Sequence, residues 1–364
     1  MQCRKERDVN NKITYRQVID RLEENNLPYA VLGLQNEVSI IISQRGGRIF
    51  GPFLGQDGES IFWVNGAFAN PDSFKQFLNS GDWNLGGERI WIAPELQYAV
   101  QDRNNFFDSY ALSPQVDPGQ YLLDEAKPEQ WRLRQDMTLD VYIPTGRQKE
   151  LYLERLIKQA EDPLRNLSHH QDLMDGVVFA GYEQLMTLSE VEHDDLLSQT
   201  WNIIQLNPGG VLLIPTLPPV EYTDYYEPVD ERIQTIHANH VRLKITGDRR
   251  YKLGYKAPHV LGRLAYFNRL DDNQACLIVR NFFNNPSAPY PDEPYHLPGH
   301  RGDSIHVYND DGGFGGFGEL ECQGQAIGGE TGKSTTMDQV VLWLYVGGAD
   351  KVKKLTSHLV GAEL

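Results

Sequence analysis

The chain is poor in cysteine, in positive charge and in long apolar runs. Only Cys3, Cys276 and Cys322 occur in 364 residues. An odd count at such wide spacing excludes a disulfide framework and a zinc knuckle. Lysine and arginine number 34 against 50 aspartate and glutamate, a formal charge of -16. Nucleic acid and anionic membrane surfaces are therefore not expected as partners, because a basic patch would have to rise against a repulsive field. The longest apolar stretch, Val340–Val346, falls far short of a membrane span. Met-Gln-Cys-Arg-Lys-Glu-Arg at the start is charged with no apolar run behind it, so no secretory leader is expected and a cytoplasmic location is.

What remains is 40% hydrophobic and 23% charged, the composition of an ordinary globular protein. Thr14–Asn26 carries Val18, Ile19 and Leu22 at helical spacing. Asn70-Pro71 ahead of Gly81 frames a second short helix, with Asn at the cap and Pro at the first helical position. Strand-like runs follow at 29–34, 38–43, 48–53, 60–64, 137–143, 176–188, 263–268, 274–282, 304–308, 319–323 and 337–347. The runs 200–206 and 211–216 around Gly209-Gly210 read as a hairpin, and so do 240–246 and 249–256 around Gly247-Asp248. Arg147–Ala160 fits either a helix or strands. Residues 101–135, rich in prolines and aromatics, read as a long irregular loop of the kind that often carries function. The pattern predicts an all-β sandwich over residues 29–364, with residues 1–28 as a helical N-terminal extension.

Several motifs lack their context. Gly313-Phe-Gly-Gly-Phe-Gly318 fits G-x-G-x-x-G, but Glu-Leu-Glu-Cys-Gln follows it, a strand rather than a helix, so a rim loop is expected. Gly328–Thr335 resembles a phosphate loop except that Ile327 stands where its first glycine belongs, so a polar turn is expected. Arg301-Gly302-Asp303 reads as a turn. His169-His170 and His193-Asp194-Asp195 have no partners at ligand spacing, and no metal site is expected.

Two extended segments carry the chemistry. In Gly86-Gly87-Glu88-Arg89-Ile90-Trp91-Ile92-Ala93-Pro94-Glu95, strand alternation puts Arg89 and Trp91 on one face. In Phe317-Gly318-Glu319-Leu320-Glu321-Cys322-Gln323, Glu319 and Glu321 share a face. Carboxylates, a guanidinium and an indole plane suit the holding and deprotonation of a sugar hydroxyl. The polar stretch from His296 to Asp311 reads as a cleft wall.

These segments, with Gly209-Gly210-Val-Leu-Leu-Ile-Pro215-Thr216, Tyr251-Lys252-Leu253-Gly254 and Gly302-Asp303-Ser-Ile-His-Val-Tyr308-Asn309-Asp310, resemble in their order the galactose mutarotase-like superfamily, in the branch related to aldose 1-epimerases. The resemblance spans about residues 45–350. It implies a β-supersandwich, no cofactor, and acid–base opening of a sugar ring. Leu320-Glu321-Cys322-Gln323 is similar to the strand that bears the family's base, which makes Glu321 the base. The segment that bears the family's histidine reads Val177-Val-Phe-Ala-Gly-Tyr-Glu-Gln184, with no histidine. His300 and His306 become the candidate acids, with His237 and His240 as further possibilities. Arg89, Trp91, Glu95, Lys252, Asp303, Tyr308, Asn309 and Glu319 are the expected substrate-binding residues. The expected partner is a small carbohydrate, with Arg89 beside Arg301 or Lys252 pointing to an acidic or phosphorylated one. The protein is expected to be a monomer or a homodimer. A binding protein that kept the cleft and lost the chemistry is the alternative.

Overall fold

The computed structural model describes residues 12–144 and 146–364; Cys3 lies outside them. Nine antiparallel strands form one sheet, labelled here in chain order. From edge to edge they are Tyr29–Gly33 (β1), Val38–Ser43 (β2), Arg48–Leu54 (β3), Glu88–Ala93 (β4), Gln199–Leu206 (β9), Gly318–Gln323 (β18), Asp303–Asn309 (β17), Tyr251–Lys256 (β14) and Tyr222–Asp224 (β11). Ten form the other: Gln234–Ile236 (β12), His240–Lys244 (β13), Val211–Pro215 (β10), Arg263–Arg269 (β15), Gln274–Phe282 (β16), Thr335–Gly348 (β19), Val177–Glu190 (β8), Arg147–Gln159 (β7), Gln130–Val141 (β6) and Leu122–Lys127 (β5). The expected all-β supersandwich is what the chain forms.

Both expected hairpins are corners instead. β9 pairs with β4 and β18, while β10 pairs with β13 and β15 in the other sheet. β13 and β14 are likewise split between the sheets. Gly209-Gly210 and Gly247-Asp248 do turn the chain, but across the sandwich. A Cβ on Gly247, at φ +70°, would meet the Gly316 carbonyl oxygen at 2.6 Å, so this corner packs backbone to backbone against the loop that precedes β18.

Arg147–Ala160 resolves as strand β7. Leu151, Leu153 and Ile157 point inward, but so do Lys149 and Arg155, and these buried cations break the apolar alternation. Ser60–Val64 is not a strand. Its backbone bonds bridge from Gly51 and Pro52 to Gln205, spanning two strands that are not neighbours. Residues 101–135 are loop only in their first part; β5 and the first half of β6 fill most of the rest.

Helix Tyr15–Glu24 (α1) starts in a Thr14–Gln17 capping box and packs Val18 and Leu22 with Ile41, Phe50 and Phe53. Helix Pro71–Ser80 (α2) has Asn70 as cap, Pro71 at N1 and Gly81 past its end, as expected. Short helices Glu95–Tyr98 (α3) and His170–Met174 (α4) follow. Helix Ala349–Val360 (α5), which the sequence reading did not anticipate, covers the outer face of the ten-stranded sheet through Val352, Leu355 and Leu359.

A charged cluster sits inside the core. The Glu88 carboxylate on β4 accepts from Arg280 at 2.7 Å, Asn202 at 2.7 Å, Gln184 at 2.5 Å and Tyr182. Gln184 in turn accepts from Arg155 at 2.7 Å. These groups come from both sheets. A buried charge of this kind is tolerated only when it is paired and hydrogen-bonded.

Candidate functional site

Strand parity sorts β4. Glu88 and Ile90 face the core, whereas Arg89 and Trp91 face out of the nine-stranded sheet. Register then assembles a site on that outer face. Lys252 lies opposite Tyr308, Tyr308 opposite Glu319, and Glu319 opposite Gln205. On the neighbouring rung Gly254, His306, Glu321, Ile203 and Arg89 succeed one another across five strands.

Above these rungs is a cavity of about 400 Å³. Its polar lining is Arg89, Glu95, Arg250, Lys252, Glu319 and Glu321. The rest is aromatic: Trp83, Trp91, Trp201, Tyr308, Phe317, Tyr226, and at the mouth Phe106, Phe107, Tyr110 and Phe314.

The charged groups are interlocked. Arg89 donates to Glu319 Oε1 at 2.9 Å, and its guanidinium lies 4.2 Å from the centre of the Trp91 ring and 5.3 Å from that of Trp83. Gln205 donates to the same Glu319 oxygen at 3.0 Å. Trp91 is fixed in turn by its Nε1, which donates to the buried Asp117 at 3.1 Å, and Asp117 also accepts from Arg48 at 2.6 Å. Lys252 Nζ donates to Glu95 Oε2 at 3.0 Å and lies 4.5 Å from the Trp201 ring centre. Burial works against the Lys252 charge, but Glu95 and then Glu321 outweigh it and hold this ammonium well above its ordinary value.

Glu321 is the unusual member. Trp201 Nε1 donates to its Oε2 at 2.7 Å, while its Oε1 is buried without a hydrogen-bond partner. Burial pushes the carboxyl up to about 8; Lys252 pulls it down, and Glu319 and Glu95 push it up further. Asp292, which accepts the Glu95 backbone N–H at 2.8 Å, is pushed by burial up to about 7 against the pull of Lys252.

His306 and His300 do not line this cavity. His306 is completely buried beside Glu321, its Nδ1 3.8 Å from Glu321 Oε2. Both ring nitrogens are engaged: Gln323 donates to Nδ1 at 3.0 Å, and Nε2 meets the Tyr225 hydroxyl at 2.9 Å. Burial, with Lys252 and Lys256, pushes this imidazole well below its ordinary value and keeps it neutral. His300 sits on an exposed loop. His237 and His240 stack on each other at the other sheet's edge, 4.4 Å apart.

Asp303 is behind the site, paired with Lys256 at 3.1 Å and accepting from Tyr225 at 3.2 Å. Asn309 has the opposite parity to Tyr308. Its Oδ1 accepts the backbone N–H of Thr246 and Gly247, and so holds the β13–β14 corner. Arg301 is exposed and bonded to Glu293 at 2.8 Å. Arg89, Trp91, Glu95, Lys252, Tyr308, Glu319 and Glu321 thus come together, whereas Asp303, Asn309, His300 and His306 stand outside the lining. Trp83, Trp201, Tyr226, Arg250 and Phe314 were not singled out from the sequence. Phe106, Phe107 and Tyr110 come from the aromatic loop that was. Among the described residues no three metal-ligating side chains cluster, and no helix is long and apolar enough to cross a membrane.

Residues 13–364 match the family described as "Family of unknown function (DUF6786)". The chain belongs to this family. No curated protein matches this DUF6786 chain. Among solved structures it is similar to a galactose mutarotase-like protein from Lactobacillus casei ATCC 334, at 12% identity and a TM-score of 0.47, over 88% of this chain and 100% of that one. It is also similar to a galactose mutarotase related enzyme from Lactobacillus acidophilus, at 9% identity and a TM-score of 0.43, over 88% of this chain and 97% of that one. At identities of 12% and 9%, the chemistry of the DUF6786 chain has to be argued from its own site.

Proposed function

We propose that the cavity binds a carbohydrate and that Glu321 exchanges protons with it, in an aldose 1-epimerase-like interconversion of anomers. The observation that carries this reading is Glu321 itself: a carboxyl on a strand, with one oxygen fixed by an indole N–H and the other unpartnered, at the wall of an aromatic cavity. Burial raises this carboxyl toward neutral pH, the range in which a carboxyl can serve as acid or base in general acid–base catalysis. Aromatic planes offer apolar sugar faces a surface to stack on, and Arg89, Lys252, Glu95 and Glu319 offer hydroxyl partners. Glu321 takes the proton of the anomeric hydroxyl, the ring opens, C1 rotates, and the ring recloses. With no histidine in the lining, Lys252 is the donor assigned to the ring oxygen.

That same lack of a lining histidine favours a second reading, a binding protein without turnover. Proton NMR of freshly dissolved α-glucose and α-galactose separates the two. Faster loss of the α signal with protein, abolished in Glu321→Gln, supports catalysis. Sugar line broadening without faster loss supports binding alone. Neither effect with any neutral or acidic hexose, phosphorylated ones included, refutes the carbohydrate reading.

A further inference from the structure

Most large apolar side chains of this protein are buried, but two phenylalanines at the cavity mouth are not. Phe107 is 54% exposed and Phe314 is 52% exposed. They sit more than two hundred residues apart in sequence, on separate loops, and each loop is anchored. Phe314 follows β17 in the glycine-rich segment, where buried Asp310 gathers the backbone. Its Oδ2 accepts the N–H of Gly312 at 2.9 Å, of Phe314 at 3.0 Å and of Gly316 at 2.9 Å. Asn84 bonds the Phe314 carbonyl at 3.2 Å from the other side. Gly315, at φ +126°, passes so close to Trp63 that a Cβ there would meet the indole at 2.4 Å.

The loop bearing Phe107 is held by Arg103, which donates to the Tyr295 carbonyl at 2.6 Å, the Pro294 carbonyl at 2.8 Å and Glu293 at 2.6 Å. The adjacent Phe106 stacks on Tyr295 with ring centres 5.0 Å apart. Holding half of each ring in water forgoes apolar burial that the free protein could otherwise gain. It does prepare a surface, because a ring already held in place loses little entropy when something stacks on it. Arg89, Lys252, Glu319 and Glu321 stand on sheet strands and Glu95 opens α3, whereas the partly exposed Arg250 lies beside Phe314, 6.0 Å from its ring centre.

We infer that Phe107 and Phe314 form an outer subsite for a second sugar ring, so that the ligand is a glycan of two or more residues whose terminal ring enters the cavity. The inference rests on the carbohydrate reading above and names its substrate class. The test is calorimetric and NMR binding of glucose, galactose and mannose against maltose, cellobiose, lactose and mannobiose, with wild type, Phe107→Ala and Phe314→Ala. At least one disaccharide should bind about tenfold tighter than its parent monosaccharide, and each alanine variant should shrink that ratio severalfold. Circular dichroism checks that the variants fold, and the exposure of both rings predicts that they do. A ratio near one in wild type, or one unchanged by both variants, overturns the outer subsite while leaving a monosaccharide site standing. No binding by any of the seven sugars overturns the subsite, and the same silence from acidic and phosphorylated hexoses overturns the carbohydrate reading with it.

Discussion

Replacing Glu321 with glutamine should make the protein's stability less sensitive to alkali, by an amount the site sets. The ordinary carboxyl value is 4.5, and in the fold burial pushes it up to about 8. A carboxyl raised on folding costs the fold nothing while both states are protonated. The cost grows as pH climbs from the unfolded value toward the folded one, and is constant above it. Between pH 5 and pH 9 the difference integrates to about 4 kcal/mol lost by the wild type through this one group. Asp292, pushed up to about 7, loses stability in the same direction, but it is present in both proteins and drops out of the comparison to first order. Glutamine keeps an oxygen for the Trp201 N–H and cannot ionise. Urea unfolding of both proteins at pH 5 and pH 9 measures the effect as a difference of differences. A double difference of several kcal/mol in favour of the variant at pH 9 is expected. A value under about 1 kcal/mol would mean that burial does not raise the Glu321 carboxyl in the fold, and the reasoning from its buried, unpartnered oxygen would fall.

Arg89→Ala should cost about 3–5 kcal/mol in unfolding free energy, because Glu319 would be left as a buried charge without its partner; it should also weaken sugar binding in the NMR assay, and unchanged affinity would remove Arg89 from the site. Lys252→Met removes the cation that pulls Glu321 down, so the Glu321 carboxyl signal in carbon-13 NMR should titrate above its wild-type midpoint. An unmoved midpoint would show that Lys252's charge does not reach it.

The site was legible where alternation within one strand defines it. Glu319 with Glu321, and Arg89 with Trp91, share faces by parity, and the structure keeps them so. What parity cannot give is register. Lys252 faces Tyr308 only through the pairing of β14 with the distant β17, and His306 faces Glu321 only through the register of the β17–β18 pair. His306 was expected as a candidate acid, and the sequence did not show that Tyr225 and Gln323 would occupy both of its nitrogens. Asn309 was expected to bind substrate from the motif it shares with Tyr308, but one step along the strand turns it to the other face. In the fold, the inward charges of Lys149 and Arg155 disguised a strand. Gly209-Gly210 and Gly247-Asp248 marked real turns, but a turn residue does not say whether its flanking strands pair or part.

The two corners where the chain parts have a consequence for assembly. Neither sheet is a continuous stretch of chain: the strand that bears Arg89 lies early, that of Trp201 midway, and those of Tyr308 and Glu321 near the end, with strands of the opposite sheet threaded between them. No N-terminal or C-terminal fragment holds a complete wall of the cavity, and contacts this remote in sequence are slow to close. A nascent chain therefore has no complete cavity until β18, which carries Glu319 and Glu321, has been made.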